Sequence, residues 1–257
     1  MLIICAGLKR AGSTLQYQLC KELLELNYSL MDYGYTSKEK DITKTFLNRN
    51  NYDCSIIKTH NYFDILKSYS KQNKVLILSS YRDLRESSVS QMLAYKKTYS
   101  QLIKRGWLQD EISTFYKVKN MNNVLMQDFL KLKNNLSSSV LEIAEYLNIK
   151  LNDNALNKII NNYTIEAQQQ KIDNYSKTNK FKIISFINNI SNSILPSLLL
   201  QSGSLINIDR STSLHHNHIN KTEIDWRKFY SIKQKEEIKS IIGDWLIEVG
   251  YEKDKNW

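Results

Sequence analysis

The sequence predicts an α/β fold with three layers, in which a parallel sheet of about five strands carries helices on both faces. Short apolar runs alternate along the chain with longer segments in which apolar residues recur at helical spacing. The run at residues 75–78 is apolar without interruption, as expected for a strand that is buried on both faces. One proline and seven glycines leave little room for long structureless linkers, so we expect one domain over residues 1–257.

The predicted elements follow one another in a regular order. Residues 2–6 form an apolar run, and Leu15, Leu19 and Leu23 recur on one face of a helix predicted at residues 13–26. Further short apolar runs predict strands at residues 29–33, 54–57, 75–78 and 124–126. Helical spacing and polarity predict helices at residues 37–46, 61–70, 83–97, 108–119, 137–147 and 153–162.

The last third of the chain differs from the rest in its predicted secondary structure, which is mostly helical. Ser231 and Gln234 have the spacing of a capping box at the start of a last helix, and Gly250 can end that helix. We therefore expect a parallel-sheet core at residues 1–150 and a mostly helical C-terminal part at residues 151–257.

Basic residues outnumber acidic ones, with 36 Lys and Arg against 26 Asp and Glu and a formal net charge of +10 at pH 7. Such an excess raises the local concentration of anions, and nucleic acid, an anionic membrane or a small anionic ligand would all fit it. The basic residues are scattered and form no dense tail or arm. This distribution favours a small anionic ligand over nucleic acid.

Cysteine usage and the apolar pattern predict a cytoplasmic location. Cys5, Cys20 and Cys54 have no pairing or metal-ligand spacing, and we expect them to be small core residues in a reducing compartment. We expect no signal peptide before the first core strand, and the absence of a run of about 18 apolar residues predicts no membrane span. The sequence does not indicate an oligomeric state.

A glycine-bounded loop follows the first predicted strand and leads directly into a helix. The loop and the start of the helix read Gly7-Leu8-Lys9-Arg10-Ala11-Gly12-Ser13-Thr14. Backbone N–H groups in such a loop, together with the helix N-terminus, can bind a phosphate. Ser13 stands where a nucleoside triphosphatase has lysine, and no aspartate ends the strand at residues 75–78 to hold Mg²⁺. The loop therefore predicts a phosphate site unlike that for the β- and γ-phosphates of ATP.

Two further polar segments follow predicted strands. Arg82 lies where one strand ends, and Ser90 falls about two turns into the next helix, so the pair can hold a second phosphate. Lys58, Thr59 and His60 end another strand. Because ligands of parallel sheets bind at the carboxyl ends of the strands, we expect these segments and the glycine-bounded loop to meet at one edge.

Together these segments resemble the sulfotransferases that depend on 3′-phosphoadenosine 5′-phosphosulfate (PAPS), a family with a P-loop-like fold. Residues 10–14 are similar to the family's Lys/Arg-Ser-Gly-Thr-Thr loop, which holds the 5′-phosphosulfate. Residues 82–90 resemble its Arg-Asp-Pro-Arg-Asp-x-x-x-Ser segment, whose first Arg and last Ser bind the 3′-phosphate. Residues 58–60 match its Lys-Thr-His, in which the His is the general base. The downstream segments that resemble the family are residues 124–131, 141–149, 165–171 and 217–226.

The resemblance implies a role for each of these residues. His60 is the expected general base, Arg10 stabilises charge on the departing phosphate oxygen, and Lys58 assists at the sulfuryl oxygens. A loop near residues 211–228 is expected to cover the nucleotide, although the family's Arg-Lys-Gly is absent there. The expected donor-binding residues are Lys9, Arg10, Ala11, Gly12, Ser13, Thr14, Arg82, Ser90 and, as the nearest basic substitutes in the covering loop, His218 and Lys221.

The resemblance implies a transferase that moves a sulfuryl group from PAPS to a hydroxyl or amine, with 3′,5′-ADP (PAP) as the product and no metal. The expected acceptor is a small molecule, such as a specialised metabolite, or a sugar. The histidines at 215, 216 and 218 are more typical of a polar surface than of a metal site. Two alternatives stay open: a P-loop nucleotide kinase and, less favoured, a basic nucleic-acid-binding protein.

Overall fold

The computed structural model describes residues 1–47, 52–71, 75–179, 181–183, 208–209, 214–215 and 225–257. The chain divides into two compact units. The larger unit consists of Met1–Asn152 and Thr222–Trp257, and the smaller unit is Asp153–Lys221. All of the predicted site residues up to Ser90 therefore belong to the larger unit.

A five-stranded sheet, with all its strands parallel, forms the centre of the larger unit. The strands are β1 Leu2–Cys5, β2 Leu30–Tyr35, β3 Cys54–Lys58, β4 Val75–Tyr81 and β5 Val124–Asp128, in the spatial order β2-β3-β1-β4-β5. Every residue of β1 is buried, which explains why this strand reads as an apolar run. The predicted parallel sheet and its five strands are confirmed.

Helices make up most of the rest of the described chain. In chain order they are α1 Ser13–Glu25, α2 Glu39–Leu47, α3 Asp64–Lys71, α4 Leu84–Tyr95, α5 Tyr99–Leu102, α6 Trp107–Lys119, α7 Phe129–Asn134, α8 Leu136–Tyr146, α9 Asp153–Asn162, α10 Ile165–Ser176, α11 Trp226–Phe229 and α12 Ile232–Glu248. The predicted helices are present with small shifts at their ends. The short helices α5 and α7 were not predicted, because so few residues show no clear helical period.

Capping interactions fix where the helices nearest the site begin. Asp83 is the N-cap of α4, and its side chain accepts a hydrogen bond from the Arg85 N–H at 2.9 Å. α12 begins with the predicted capping box between Ser231 and Gln234. Gly250 follows the end of α12 with a φ of +83°, a conformation that favours glycine.

Two residues of the loop between β1 and α1 are packed into an apolar cluster. Leu8 and Ala11 of this loop belong to one cluster with Leu84 of α4, Leu108 of α6 and Trp245 of α12, and all five are buried. A second cluster packs β1, β3 and β4 with α3. The glycine-bounded loop therefore rests on the larger unit's core.

The smaller unit contains α9, α10 and a short antiparallel pair of strands, β6 Ile208–Asp209 and β7 Leu214–His215. β7 lies within the covering loop expected near residues 211–228, and α11, which belongs to the larger unit, begins near the end of that segment. α11 forms because the Asp225 side chain caps it by accepting from the Arg227 N–H. His218 and Lys221 lie outside the described residues. None of the helices in the described ranges is both long and apolar enough to cross a membrane.

Candidate active site

The carboxyl ends of three neighbouring strands bring the predicted polar segments together. β1 lies between β3 and β4, and Cys5 at its end pairs with Lys58 on one side and with Leu78 on the other. Beyond the strand ends, the Thr59 N–H donates to the Cys5 carbonyl at 2.9 Å. The loop after β1, the segment after β3 and the segment after β4 therefore share one edge of the sheet.

Two glycines allow the loop after β1 to approach its neighbours closely. A Cβ atom at Gly7 would lie 2.5 Å from Ser80 Oγ, so any larger residue would collide with β4. Gly12 has a φ of +76°, and a Cβ atom there would lie 2.6 Å from Phe129 Cδ2. Gly12 is also the N-cap of α1, and no side chain caps this helix. The first N–H groups of α1 can therefore bind an anion.

Arg10 joins the two predicted phosphate sites directly. Its Nε donates to Ser90 Oγ at 2.9 Å, and its carbonyl oxygen accepts from Arg82 Nη1 at 3.4 Å. Its φ of +62° is uncommon for a residue with a side chain, and such conformations cluster at functional sites. Burial and, more weakly, the charge of Arg82 lower the pKa of Arg10, which remains cationic at neutral pH. No carboxylate of the described residues forms an ion pair with Arg10, so its charge is available to an anion.

Arg82 is held by two residues that were not predicted to belong to the site. Its Nε and Nη2 donate to Glu86 Oε2 at 3.0 and 2.7 Å. Its guanidinium lies over the Phe129 ring, 4.4 Å from the ring centroid. The spacing of Arg82 and Glu86 along a helix could have indicated their pairing. No sequence signal indicates the contact with Phe129, which is the first residue of α7 and directly follows β5.

Lys58 forms a buried contact with the start of α1. Its Nζ donates to Thr14 Oγ1. Burial lowers the pKa of Lys58 to about 8, and the charge of Arg10 adds to this effect. Since the ammonium group can only donate, the Thr14 hydroxyl keeps its own proton for another acceptor. Ser13 is buried beside Thr14 in the first turn of α1, whereas the side chain of Ala11 belongs to the apolar cluster and leaves only its backbone for a ligand.

His60 is oriented by the glycine-bounded loop. Its Nδ1 lies 2.8 Å from the Gly7 carbonyl oxygen. A carbonyl only accepts hydrogen bonds, so Nδ1 carries the proton and Nε2 of the neutral ring carries a lone pair. Burial and the charge of Lys58 lower the pKa of His60 to about 3, so the ring is neutral at physiological pH. The Tyr35 ring packs beside it, with 5.6 Å between the ring centroids.

A cleft of about 320 Å³ opens beside His60. One wall comes from the segment between β3 and α3, and the other comes from α6. The lining mixes two aromatic rings with hydroxyl, amide and charged groups. The lining residues are Lys9, His60, Asn61, Tyr62, Phe63, Asp110, Ser113, Thr114 and Lys117.

The structure gives Lys9 different surroundings from the rest of the loop. Its backbone N–H and its Nζ both donate to the carboxylate of Glu111 in α6, at 3.0 and 2.8 Å. Glu111 was not predicted to belong to the site, because one carboxylate in a polar helix has no distinguishing sequence pattern. Within the described ranges, no group of three or more His, Cys, Asp or Glu residues could hold a metal ion.

The sequence matches a known family over most of its length. A family model described as a sulfotransferase domain matches residues 3–193. The chain belongs to the sulfotransferase family. Among curated proteins, no significant sequence match was found.

Solved structures of two other proteins share this fold. Mouse sulfotransferase SULT7A1, crystallised with PAP, has a TM-score of 0.63 and 14% identity, over 96% of this chain and 84% of that chain. Retinol dehydratase in complex with retinol and PAP has a TM-score of 0.58 and 13% identity, over 95% of this chain and 81% of that chain. These likenesses show the fold.

Proposed function

We propose that this sulfotransferase takes its sulfuryl group from PAPS and transfers it to a hydroxyl or amine of a small-molecule acceptor in the cytoplasm. One observation carries the proposal: the hydrogen bond between Arg10 and Ser90 makes the two anion sites neighbours at the edge where His60 lies. A nucleotide with a phosphate at each end of its ribose needs two anion sites at short range. The PAP in the related structures supports the same donor.

The residues around the loop fit the two charged ends of such a donor. The uncapped N-terminus of α1 and the Thr14 hydroxyl offer donors to the 5′-phosphosulfate, and Arg10 adds a cation. Arg82 and Ser90 would hold the 3′-phosphate. We also propose that the whole chain acts as one sulfotransferase domain and that residues 211–228, with His218 and Lys221, cover the nucleotide.

His60 is suited to take the proton of the acceptor. Its Nε2 carries the lone pair, because Nδ1 is held by the Gly7 carbonyl. Its lowered pKa keeps this nitrogen unprotonated at physiological pH, and the negative charge of a bound donor would raise that pKa towards the range in which a general base works best. Arg10 and Lys58 would stabilise the negative charge that develops on the leaving phosphate and on the sulfuryl oxygens, in a buried setting where such stabilisation is strong.

The cleft beside His60 supports a small, partly polar acceptor. Its volume of about 320 Å³ is at the small end of the range for ligand sites. Tyr62 and Phe63 offer aromatic surface, while Ser113 and Thr114 offer hydroxyl groups. Such a lining suits a hydroxylated ring, in an aromatic metabolite or a sugar.

Thermal shift with three ligands tests the donor assignment. We expect PAP to raise the Tm without Mg²⁺, because only the folded protein binds it. Stabilisation by Mg·ATP alone would instead indicate a kinase, and stabilisation by DNA with a steep salt dependence would indicate nucleic-acid binding. Incubation with PAPS and a pooled panel of phenols, amines and sugars, followed by mass spectrometry, then identifies the acceptor by its gain of a sulfuryl group.

A further inference from the structure

A buried ion pair connects the phosphate-binding loop to the wall of the acceptor cleft. Glu111 is 1% exposed, and its Oε1 accepts from Lys9 Nζ at 2.8 Å while its Oε2 accepts from the Lys9 backbone N–H at 3.0 Å. A buried carboxylate is costly unless it is paired and hydrogen-bonded. Burial accordingly raises the pKa of Glu111, and Lys9 opposes this rise. Lys9 therefore satisfies both oxygens of a group that would otherwise be unfavourable at this place.

The position of Glu111 on its helix gives the pair a second connection. Its neighbours in α6, Asp110 and Ser113, line the cleft beside His60. Lys9 also lines this cleft, and it directly precedes Arg10 in the chain. Through its hydrogen bonds with Lys9, Glu111 therefore connects the segment that contains Arg10 to α6, which forms one wall of the cleft.

The two hydrogen bonds also decide what Lys9 can contact. Its N–H is occupied by Glu111, so it does not add to the amides at the start of α1. Its ammonium group has three donor hydrogens, and Glu111 needs one of them. Because the Lys9 side chain is 36% exposed and lines the cleft, the other hydrogens are accessible to a molecule bound there.

We propose that Glu111 is a positioning residue for sulfuryl transfer and that it acts through Lys9. It holds the Lys9 ammonium group in the acceptor cleft beside His60, and it sets the distance between the phosphate-binding loop and the acceptor. This inference rests on the proposed function, since it assigns the two sides of the pair to donor and acceptor. Small displacements between reacting groups reduce rates strongly, so a tie between the two binding regions affects turnover more than binding.

The test is a double-mutant cycle with Glu111→Gln, Lys9→Met and the double variant, measured with PAPS and a phenolic acceptor found active with the wild type. Glu145→Gln, an exposed carboxylate in α8, is the matched control. We expect Glu111→Gln to lower kcat by about tenfold while the Kd for PAP changes by less than about twofold. Because Glu111 acts through Lys9, the double variant should be no slower than Lys9→Met alone.

Each other outcome contradicts the inference in a recognisable way. Wild-type kcat in Glu111→Gln, or losses that multiply in the double variant, would overturn the positioning role while leaving the sulfotransferase function intact. If Glu111→Gln lost as much affinity for PAP as it lost in kcat, Glu111 would only maintain the structure of the site and would have no specific role in turnover. If Lys9→Met fails to fold, Lys9→Gln replaces it in the cycle, because the neutral amide removes the ammonium group from the cleft but can still donate a hydrogen bond to Glu111. A wild-type protein that neither binds PAP nor transfers sulfuryl would remove both proposals together.

Discussion

Arg10 and Ser90 are hydrogen-bonded, with 2.9 Å between Arg10 Nε and Ser90 Oγ, although 80 positions separate them in the chain. The serine oxygen accepts this bond, so its own proton remains available to donate to a phosphate. The guanidinium uses only Nε for Ser90, so its terminal nitrogens can face the loop side. One side chain therefore adjoins both proposed anion sites, and we expect binding of the nucleotide at one site to orient the group that serves the other.

The first prediction concerns Arg10→Lys, which keeps the charge and removes the Nε donor. A hydrogen bond to a charged group contributes about 1.5–3 kcal/mol, so we expect PAP to bind at least about tenfold more weakly. Isothermal titration calorimetry measures this, with Arg105→Lys at an exposed site as the control. In the double variant with Ser90→Ala the losses should be less than additive. Fully additive losses would show that the two residues act separately.

The sheet and the residues that share its edge could be predicted from the sequence, because their signals are local. The run at residues 75–78 indicates a buried strand by itself, and the glycines at 7 and 12 mark the loop. Once parallel strands are assumed, His60 and Arg82 must lie at the same edge as that loop. Local pattern and one topological rule were therefore enough for the main part of the site.

The contacts that orient these residues could not be predicted, because their partners are distant in sequence and ordinary in type. Glu111 is one acidic residue in a polar helix, and its burial follows only from how α6 packs on the loop. Phe129 contacts the Arg82 guanidinium with its ring and lies close to Gly12. It is one of seven phenylalanines in the chain, and no neighbouring residue in the sequence distinguishes it. Such pairings depend on the tertiary distances of the folded chain.

The second prediction concerns the ion pair between Arg82 and Glu86. A 3′-phosphate at Arg82 must share that guanidinium with the carboxylate, whose charge repels it. We expect Glu86→Gln to bind PAP about twofold to fivefold more tightly, the size of effect expected for a partly exposed charge.

Arg82→Ala should weaken PAP binding and leave 5′-AMP binding nearly unchanged. The ratio of the two dissociation constants is the measurement, and equal changes for both ligands would contradict the assignment of the 3′-phosphate site.

The third prediction tests His60 as the base. We expect His60→Ala to lower kcat by about 10²–10⁴-fold, the usual contribution of a general base. The Kd for PAP should stay close to that of the wild type, because His60 lines the cleft proposed for the acceptor. Single-turnover assays with PAPS separate the chemical step from binding. Turnover at the wild-type rate would remove His60 from this role.

The fourth prediction is the pH profile of kcat/KM for PAPS. His60 has its pKa lowered to about 3 and is already neutral at pH 5, so it causes no loss of rate between pH 5 and 8. Lys58 has its pKa lowered to about 8, and a lysine is cationic below its pKa, so its charge is lost as the pH rises through about 8. The rate should therefore fall on the alkaline side only. Lys58→Arg should move this fall to higher pH, and an unchanged alkaline fall would assign it to another group.

The last prediction concerns stability and the residue that anchors the C-terminal segment. Arg85 is buried, and its Nε and Nη2 donate to Asp83 at 3.0 and 2.6 Å while its Nη1 donates to Glu252. Its guanidinium also contacts the Trp226 and Trp257 rings, 4.3 and 4.4 Å from their centroids, and these two rings meet edge to face.

Arg85→Ala would leave two carboxylates without their partner, which costs about 3–5 kcal/mol at buried sites. We expect a fall in Tm of about 2–4 °C for each kcal/mol lost, measured by calorimetry against the exposed control Arg105→Ala. Adding Asp83→Asn and Glu252→Gln to Arg85→Ala should recover part of that loss, because the unpaired charges are then removed. A triple variant as unstable as Arg85→Ala would show that the cation–π contacts with the two tryptophans, rather than the ion pairs, provide the stabilisation.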